Sequence, residues 1–145
     1  MTSYNQRIVL TRPVFDGNEK EAIIEPLETG WLVQGPRVAE FEKSVCKYTG
    51  AKFAKAASSC TTALHMALLV LDIGPGDEVL LPSFTYVATA NVVEYVGARP
   101  VFIDIDLKTF NIDCCVIEDY LQEKLKGSAF SDSYRTKAII PVHLF

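Results

Sequence analysis

From residue 53 onward, apolar segments of strand length alternate with longer apolar segments of helix length, and this alternation limits the possible folds more than any other feature of the sequence. Short clusters of turn residues, such as GPGD at 74–77, separate the segments. The predicted elements are, in order, a strand at Phe53–Ala57, a helix at 61–71, a strand at Glu78–Leu81, a helix at 85–96, a strand at Arg99–Asp104, a helix capped by Asp113 and running to about Lys126, and a strand at Lys137–Val142. Such alternation predicts an α/β fold in which a mainly parallel sheet is flanked by helices on both faces.

The residues before 53 predict two further helices. Asp16 followed three residues later by Glu19 indicates a capping box at the start of the first helix. Pro26 lies late in that helix, where it removes a backbone donor, so we expect a kink or an early end there. The second helix begins at Pro36 and stops at Gly50, with a stripe of apolar residues three or four positions apart between them.

Composition and charge exclude several classes of protein. The formal net charge is -4, and the chain has no cluster of Lys and Arg interleaved with aromatic residues, so nucleic acid is not an expected partner. No window reaches the roughly 18 apolar residues of a membrane span, and the N-terminus lacks a basic segment followed by an apolar run. Cys46, Cys60, Cys114 and Cys115 show no CxxC spacing and predict reduced thiols without a metal site. We therefore expect a cytoplasmic protein.

The stretch SSCTTALHMAL at 58–68 places small and hydroxylated side chains at the start of an apolar helix that follows a predicted strand. Ligands of an open parallel sheet bind at the carboxyl ends of its strands, where a helix start presents free amides and a partial positive charge. Ser59, Cys60 and Thr61 could therefore donate to a phosphate. Alternatively, Ser59 or Thr61 simply caps the helix. The residues of this stretch alone leave both interpretations open.

A second polar stretch, LLPSFTYVATAN at 80–91, leaves the next predicted strand at the same edge of the sheet. Thr85 and Tyr86 would lie beside the same crevice, and the Tyr86 ring could stack on a flat cofactor. The alternative is a core or half-buried tyrosine. Phosphate donors together with a stacking ring predict a phosphorylated planar cofactor.

Five segments of the chain resemble, in order and spacing, the DegT/StrS-like sugar aminotransferases, which depend on pyridoxal 5'-phosphate. The segments are GWLVQGPRVAEFEKSV at 30–45, SSCTTALHMAL at 58–68, GPGDEVLLPSFTYVATAN at 74–91, GARPVFIDIDLKTFNID at 97–113 and TKAIIPVHLF at 136–145. The resemblance implies a fold-type I architecture, with residues 1–145 as the N-terminal portion of the large domain. It also implies a homodimer, a nucleotide-linked keto sugar as substrate and an amino donor such as glutamate.

The resemblance also assigns roles to single residues. Cys60 and Thr61 occupy the family's Gly-Thr, whose amides hold the cofactor phosphate, and Tyr86 occupies the position that stacks on the pyridine ring. A glycine at position 60 can adopt backbone angles that a cysteine reaches only with strain, so we expect strain at Cys60. Trp31 lies in the family's Gly-Trp landmark, where packing at the mouth of the site and contact with the substrate are both candidate roles.

Two aspartates follow the predicted strand at 99–104 at the position of a turn in the family. Asp104 and Asp106 are interpreted as structural residues of that turn rather than as a metal pair, because no third ligand lies nearby in the sequence.

The catalytic apparatus of the family lies beyond the stretch that resembles PVHLF. The lysine that bonds covalently to the cofactor and the acidic partner of its ring nitrogen both come after it, so we assign no catalytic residue in this chain. Lys108, Lys124 and Lys137 are predicted to be solvated charges.

Three interpretations of the whole chain therefore stand. They are the N-terminal part of an aminotransferase, a catalytically inactive relative that binds cofactor or nucleotide sugar, and a flavodoxin-like protein with an unrelated anion. If the chain is the N-terminal part of an aminotransferase, the 145 residues alone should be unstable or prone to aggregation, because the strand at 53–57 would lack neighbouring strands.

Overall fold

The computed structural model describes residues 11–126 and 133–144. Within these ranges the chain forms six helices and three strands, which are α1 Glu19–Ala22, α2 Ile24–Thr29, α3 Pro36–Thr49, α4 Cys60–Val70, β1 Asp77–Pro82, α5 Ala88–Tyr95, β2 Arg99–Ile103, α6 Cys114–Leu125 and β3 Arg135–Ile139. The chain divides into two compact units, Met1–Ala56 and Ala57–Phe145.

The first predicted helix of the N-terminal unit is split into two short helices. The break falls at Ile23 and places Pro26 in the first turn of α2, where its missing N–H leaves no gap in a hydrogen-bond ladder, so the predicted interruption is confirmed. The predicted capping box is wrong. The Glu19 carboxylate accepts instead from the Gly17 amide at 3.0 Å, and the residue before the helix makes no side-chain cap.

Helix α3 matches its prediction at both ends. Pro36 is its first residue, a position at which the missing N–H costs no helical bond. Gly50 closes the helix in the left-handed conformation, with φ of 75°, and its amide donates to the Cys46 carbonyl at 2.9 Å. A glycine is favoured here because a side chain at positive φ is strained.

The C-terminal unit contains a parallel sheet with the strand order β2-β1-β3. Val79 and Leu81 of the central strand point to the face covered by α4 and α5, and Glu78 points to the opposite face, where Tyr120 of α6 donates to it. The buried apolar cluster of the first face comprises Leu68, Ile73, Val79, Leu81, Val92, Val93 and Ala98. The predicted parallel sheet with helices on both faces is therefore confirmed.

The predicted strand at Phe53–Ala57 is not formed. The segment has no regular structure, and none of the described strands pairs with it. Apolar composition indicates a buried strand, but a strand exists only where another strand accepts its hydrogen bonds, and the three strands of this sheet pair only with one another. The fourth predicted strand is real but lies earlier, at Arg135–Ile139.

The last two helices show how their boundaries arise. The Asp113 carboxylate accepts from the Cys115 amide at 2.8 Å, so the predicted cap of α6 is confirmed. Helix α5 starts at Ala88 rather than at 85, and residues 83–87 form the loop between β1 and this helix. Among the described residues, no helix is both long enough and apolar enough to cross a lipid bilayer.

Candidate functional site

The two polar stretches identified in the sequence lie at the start of α4 and in the loop after β1. Residues 71–76 connect the end of α4 to the start of β1, and α4 packs on the apolar face of the sheet through Leu68. The loop at 83–87 leaves β1 at its carboxyl end. Cys60 and Thr61, at the start of α4, and Tyr86, after β1, are therefore expected to face the strand ends where parallel sheets bind their ligands.

Ser59 caps α4, as one of the two interpretations of its stretch predicted. Its hydroxyl accepts from the Thr62 amide at 3.1 Å, and its carbonyl accepts from the Ala63 amide at 3.0 Å. The Thr62 hydroxyl lies 3.0 Å from that of Ser59 and 3.2 Å from that of Ser58. These three hydroxyls fix the first turn of the helix.

The cap leaves other amides of the first turn available. Within the described part of the chain, neither the Cys60 amide nor the Thr61 amide donates to an acceptor. Two unpaired N–H groups at the positive end of an eleven-residue helix fit a phosphate group, with no cationic side chain needed. The capping and phosphate interpretations are therefore compatible, because the cap uses Thr62 and leaves its two predecessors.

The expected backbone strain at Cys60 is absent. Cys60 begins α4 in the right-handed helical conformation, and the non-glycine residues with positive φ in the described ranges are Asp72 and Phe110. A cysteine can therefore replace the family's glycine without a forbidden backbone angle. Its side chain is exposed and its amide remains a donor.

Tyr86 is 79% exposed, so the alternative of a core or half-buried tyrosine is wrong. Its carbonyl accepts from the Thr89 amide at 3.0 Å, which ties the loop to the first turn of α5. The hydroxyls of Thr85 and Thr89 lie 2.9 Å apart. The ring therefore projects from an anchored backbone into solvent, as a stacking platform for a flat ligand requires.

Trp31 belongs to the N-terminal unit. A Cβ added to Gly35 would lie 2.9 Å from the Trp31 ring, so the indole packs directly against this glycine. Trp31, Pro26, Gly35 and Pro36 also line a cavity of about 220 Å³. Trp31 thus packs against Gly35, whereas its place at the mouth of the site and a contact with substrate both stay predictions; the indole is still 57% exposed.

The carboxylate of Asp106 organises the turn after β2. It accepts from the Lys108 amide at 3.0 Å and from the Thr109 hydroxyl at 3.1 Å. The carbonyl of Asp104 accepts from the Asp113 amide at 3.0 Å. The structural interpretation of Asp106 is therefore confirmed, and Asp104 contributes to the same turn through its backbone.

A buried charge cluster that was not predicted from the sequence lies at the other end of the strands, where β1 begins. Glu78 is 0% exposed, and its carboxylate accepts from Arg99 at 2.6 Å, Thr136 at 2.5 Å, Tyr120 at 2.8 Å and the Lys124 ammonium. Burial by itself raises the pKa of Glu78, but the hydrogen bonds from these four side chains outweigh it and lower the pKa to about 2.

Asp77, next to Glu78, forms the second half of the cluster. Its carboxylate accepts from the Gly74 amide at 3.1 Å, from Arg135 at 2.9 Å and from Lys137 at 3.3 Å. Burial raises the pKa of Asp77, and these bonds more than compensate, so that its pKa lies below the ordinary value. The cluster balances two carboxylates with the side chains of Arg99, Lys124, Arg135 and Lys137.

Two of the three lysines predicted to be solvated are therefore ion-paired. Lys124 and Lys137 contact Glu78 and Asp77, so the prediction is wrong for both. Lys108 is exposed in the turn after β2, as predicted. One sequence signal could have revealed the cluster: acidic and basic residues stand at the first positions of strands, and Glu78 lies directly opposite Arg99 in the register.

The comparisons with known proteins agree with this fold. The sequence profile of the DegT/DnrJ/EryC1/StrS aminotransferase family matches residues 13–145. GDP-perosamine synthase from Caulobacter vibrioides is 45% identical over 96% of this chain and 35% of its own length. UDP-4-amino-4-deoxy-L-arabinose–oxoglutarate aminotransferase from Shewanella sediminis is 42% identical over 96% of this chain and 33% of its own length.

A solved structure extends the similarity to three dimensions. The PMP form of Spr1654 from Streptococcus pneumoniae superposes with a TM-score of 0.77 at 33% identity, and the match covers 94% of this chain and 32% of that one. The chain thus spans about a third of the length of the relatives that it matches.

Proposed function

This chain belongs to the DegT/DnrJ/EryC1/StrS aminotransferase family, and we propose that its protein is a pyridoxal-phosphate-dependent aminotransferase that aminates a nucleotide-linked keto sugar in amino-sugar biosynthesis. The observation that carries the proposal is the pair of unpaired amides at Cys60 and Thr61, together with the exposed Tyr86 ring in the loop that leaves β1 at its carboxyl end. Phosphate donors and a stacking ring are the two contacts that a phosphorylated pyridine needs from this part of the fold.

The cofactor residues that we propose are Cys60, Thr61 and Tyr86. The first two would donate their amides to the phosphate, and the third would cover one face of the ring. When bound, pyridoxal phosphate supplies the carrier on which an amino group passes from donor to sugar ketone. The similarity to a structure solved in a PMP form supports this cofactor.

We assign no catalytic lysine among these residues. Lys124 and Lys137 are held by Glu78 and Asp77 at the start of β1, the opposite edge of the sheet from Tyr86. Residues 1–145 would form the N-terminal portion of the large domain of a fold-type I enzyme, in which the lysine and the acidic partner of the ring nitrogen come later in the chain. A homodimer with the active site at the subunit boundary belongs to the same proposal, as does a cytoplasmic location.

The substrate class follows from the relatives. The names of the Caulobacter and Shewanella proteins specify GDP- and UDP-linked amino sugars, and the second names oxoglutarate as the keto acid. A nucleotide-linked keto sugar and glutamate are therefore the substrates that we propose here. Trp31, still 57% exposed, is the candidate for a contact with the sugar nucleotide.

The test uses the natural protein, purified and titrated with pyridoxal phosphate. Saturable binding, followed by formation of 2-oxoglutarate from glutamate in the presence of a GDP- or UDP-linked 4-keto sugar, is the expected result. Binding of the cofactor with no turnover on any of these sugars would favour a catalytically inactive relative. Flavin absorbance in the purified protein, with no pyridoxal phosphate binding, would overturn the proposal.

A further inference from the structure

A buried hydroxyl lies directly behind the loop that carries Tyr86. Thr89 is 5% exposed and occupies the second position of α5, a helix whose other buried side chains are Val92 and Val93. Its hydroxyl lies 2.9 Å from that of Thr85, so one of the two hydroxyls donates to the other. A buried hydroxyl that bonds only across one loop fixes that loop, because leaving either partner unsatisfied is costly.

Thr89 holds the chain on both sides of the Tyr86 peptide unit. Its hydroxyl pairs with residue 85, and its amide donates to the Tyr86 carbonyl at 3.0 Å. At the start of the loop, the Ser83 amide donates to the Ile103 carbonyl of β2 at 2.8 Å. The backbone of residues 83–86 is therefore anchored at both ends, to the sheet and to α5.

The Tyr86 ring, by contrast, is anchored only through this backbone. It is 79% exposed, and within the described ranges it makes no hydrogen bond and no ring–ring contact. The direction of the ring therefore depends on the conformation of the loop beneath it. A platform whose backbone is set before the ligand arrives loses less conformational freedom on binding.

We propose that Thr89 is a positioning residue, which sets the Tyr86 ring for stacking on a flat phosphorylated ligand through its hydroxyl bond to Thr85. The identity of the ligand rests on the proposed function, whereas the positioning of the loop does not. Thr89 acts only through Tyr86. The contribution of Thr89 to ligand affinity should therefore vanish when the Tyr86 ring is absent.

The experiment uses the natural protein with the variants T89V, T89S and T85V, and T49V as the matched control. Thr49 lies at the end of α3, where its hydroxyl donates to the Val45 carbonyl. The probe is 4-deoxypyridoxine 5'-phosphate, which keeps ring and phosphate but lacks the aldehyde that reacts with lysine. T89V and T85V should each raise its dissociation constant roughly three- to tenfold, the effect of one neutral hydrogen bond. T89S and T49V should bind as the wild type does.

Two further measurements separate positioning from general destabilisation. Hydrogen exchange of the ligand-free protein should become faster in residues 84–89 of T89V and T85V, with exchange in β1 unchanged. In a Y86A background, T89V should not change the affinity further.

The proposal is overturned if T89V leaves both loop exchange and affinity unchanged, or if it weakens binding equally with and without the Tyr86 ring. If the wild-type protein does not bind the probe, the proposed function fails, and the exchange measurement alone decides whether Thr89 positions the loop.

Discussion

The Tyr120 hydroxyl donates a 2.8 Å hydrogen bond to Glu78 across 42 residues of sequence and joins α6 to the central strand of the sheet. The same carboxylate accepts from Arg99 of β2 and from Thr136 of β3. One buried side chain thus connects both outer strands and a helix. On the face of the sheet under α4 and α5, apolar side chains pack together. On the opposite face, at the start of β1, hydrogen bonds and ion pairs to Glu78 stabilise the sheet.

Replacing Glu78 with glutamine should destabilise the sheet at the start of β1. The amide keeps the shape of the side chain but removes the buried negative charge that the Arg99 and Lys124 side chains contact. Removing one partner of a buried pair costs about 3–5 kcal/mol. Hydrogen exchange of the β1 amides in the natural protein should accelerate by roughly a hundredfold or more.

Glu94 provides the matched control for this variant. It is exposed on α5. E94Q should change the free energy of exchange of the same amides by less than about 0.5 kcal/mol. Equal exchange of β1 in E78Q and wild type would show that the charge cluster does not stabilise the sheet.

The same carboxylate predicts how stability depends on pH. The pKa of Glu78 is about 2 in the folded protein against an ordinary value of 4.5. Because the folded-state pKa is the lower one, the ionised carboxylate stabilises the fold above about pH 4.5, and this contribution is lost as the pH falls from there toward 2. The shift corresponds to roughly 3 kcal/mol, and the lowered pKa of Asp77 acts in the same direction.

Thermal unfolding of the ligand-free protein between pH 7 and pH 3 measures this effect. The melting temperature of the wild type should fall more steeply with acidification than that of E78Q, so that the two converge at low pH. Parallel profiles for the two proteins would mean that Glu78 is not the titrating group.

The elements that depend on local signals were predictable from the sequence. Helix α3 has proline at its start and glycine after its end, and α6 has Asp113 as its cap; each signal acts within a few residues. The place of the Tyr86 loop at the carboxyl end of β1 was predictable for a similar reason, because the residues of that loop directly follow the strand in the sequence. Exposure of Tyr86 was not predictable in this way, because the sequence left a buried tyrosine open and placed residue 86 in the helix predicted at 85–96.

Pairings between distant residues were not predictable in the same way. The segment at Phe53–Ala57 has the composition of a strand, but no described strand pairs with it. Composition carries no information about which strands pair. Lys124 and Lys137 look like ordinary surface lysines in their own segments. Only the packing of α6 and β3 beside β1 turns them into the counter-ions of Glu78 and Asp77.

The 145 residues expressed alone should self-associate. In the strand order β2-β1-β3, each outer strand has one side that no described strand covers, and several large apolar side chains are exposed in the same unit. These side chains are Leu69, Val70, Leu71, Phe102 and Leu125. Light scattering coupled to gel filtration should show oligomers or aggregates, with strong binding of a hydrophobic dye. A soluble monomer that melts cooperatively would contradict this expectation.

A proline at position 60 offers the sharpest test of the phosphate site. Cys60 is the first residue of α4, where proline is well tolerated, and Ser59 before it is extended, with φ of -159° and ψ of 163°, as a residue preceding proline prefers. The Cys60 amide has no acceptor in the described part of the chain. C60P therefore removes one of the two proposed phosphate donors and no hydrogen bond of the fold.

The affinity of the natural protein for 4-deoxypyridoxine 5'-phosphate should fall roughly ten- to a hundredfold in C60P, the effect of one hydrogen bond to a charged group. C60A keeps the amide and should bind as the wild type does, which separates the backbone donor from the thiol. Affinity for 4-deoxypyridoxine without its phosphate should be the same in all three proteins, because the lost contact is specific to the phosphate. Undiminished binding of the phosphorylated ligand by C60P would place the phosphate away from the start of α4 and remove the physical basis of the proposed cofactor site.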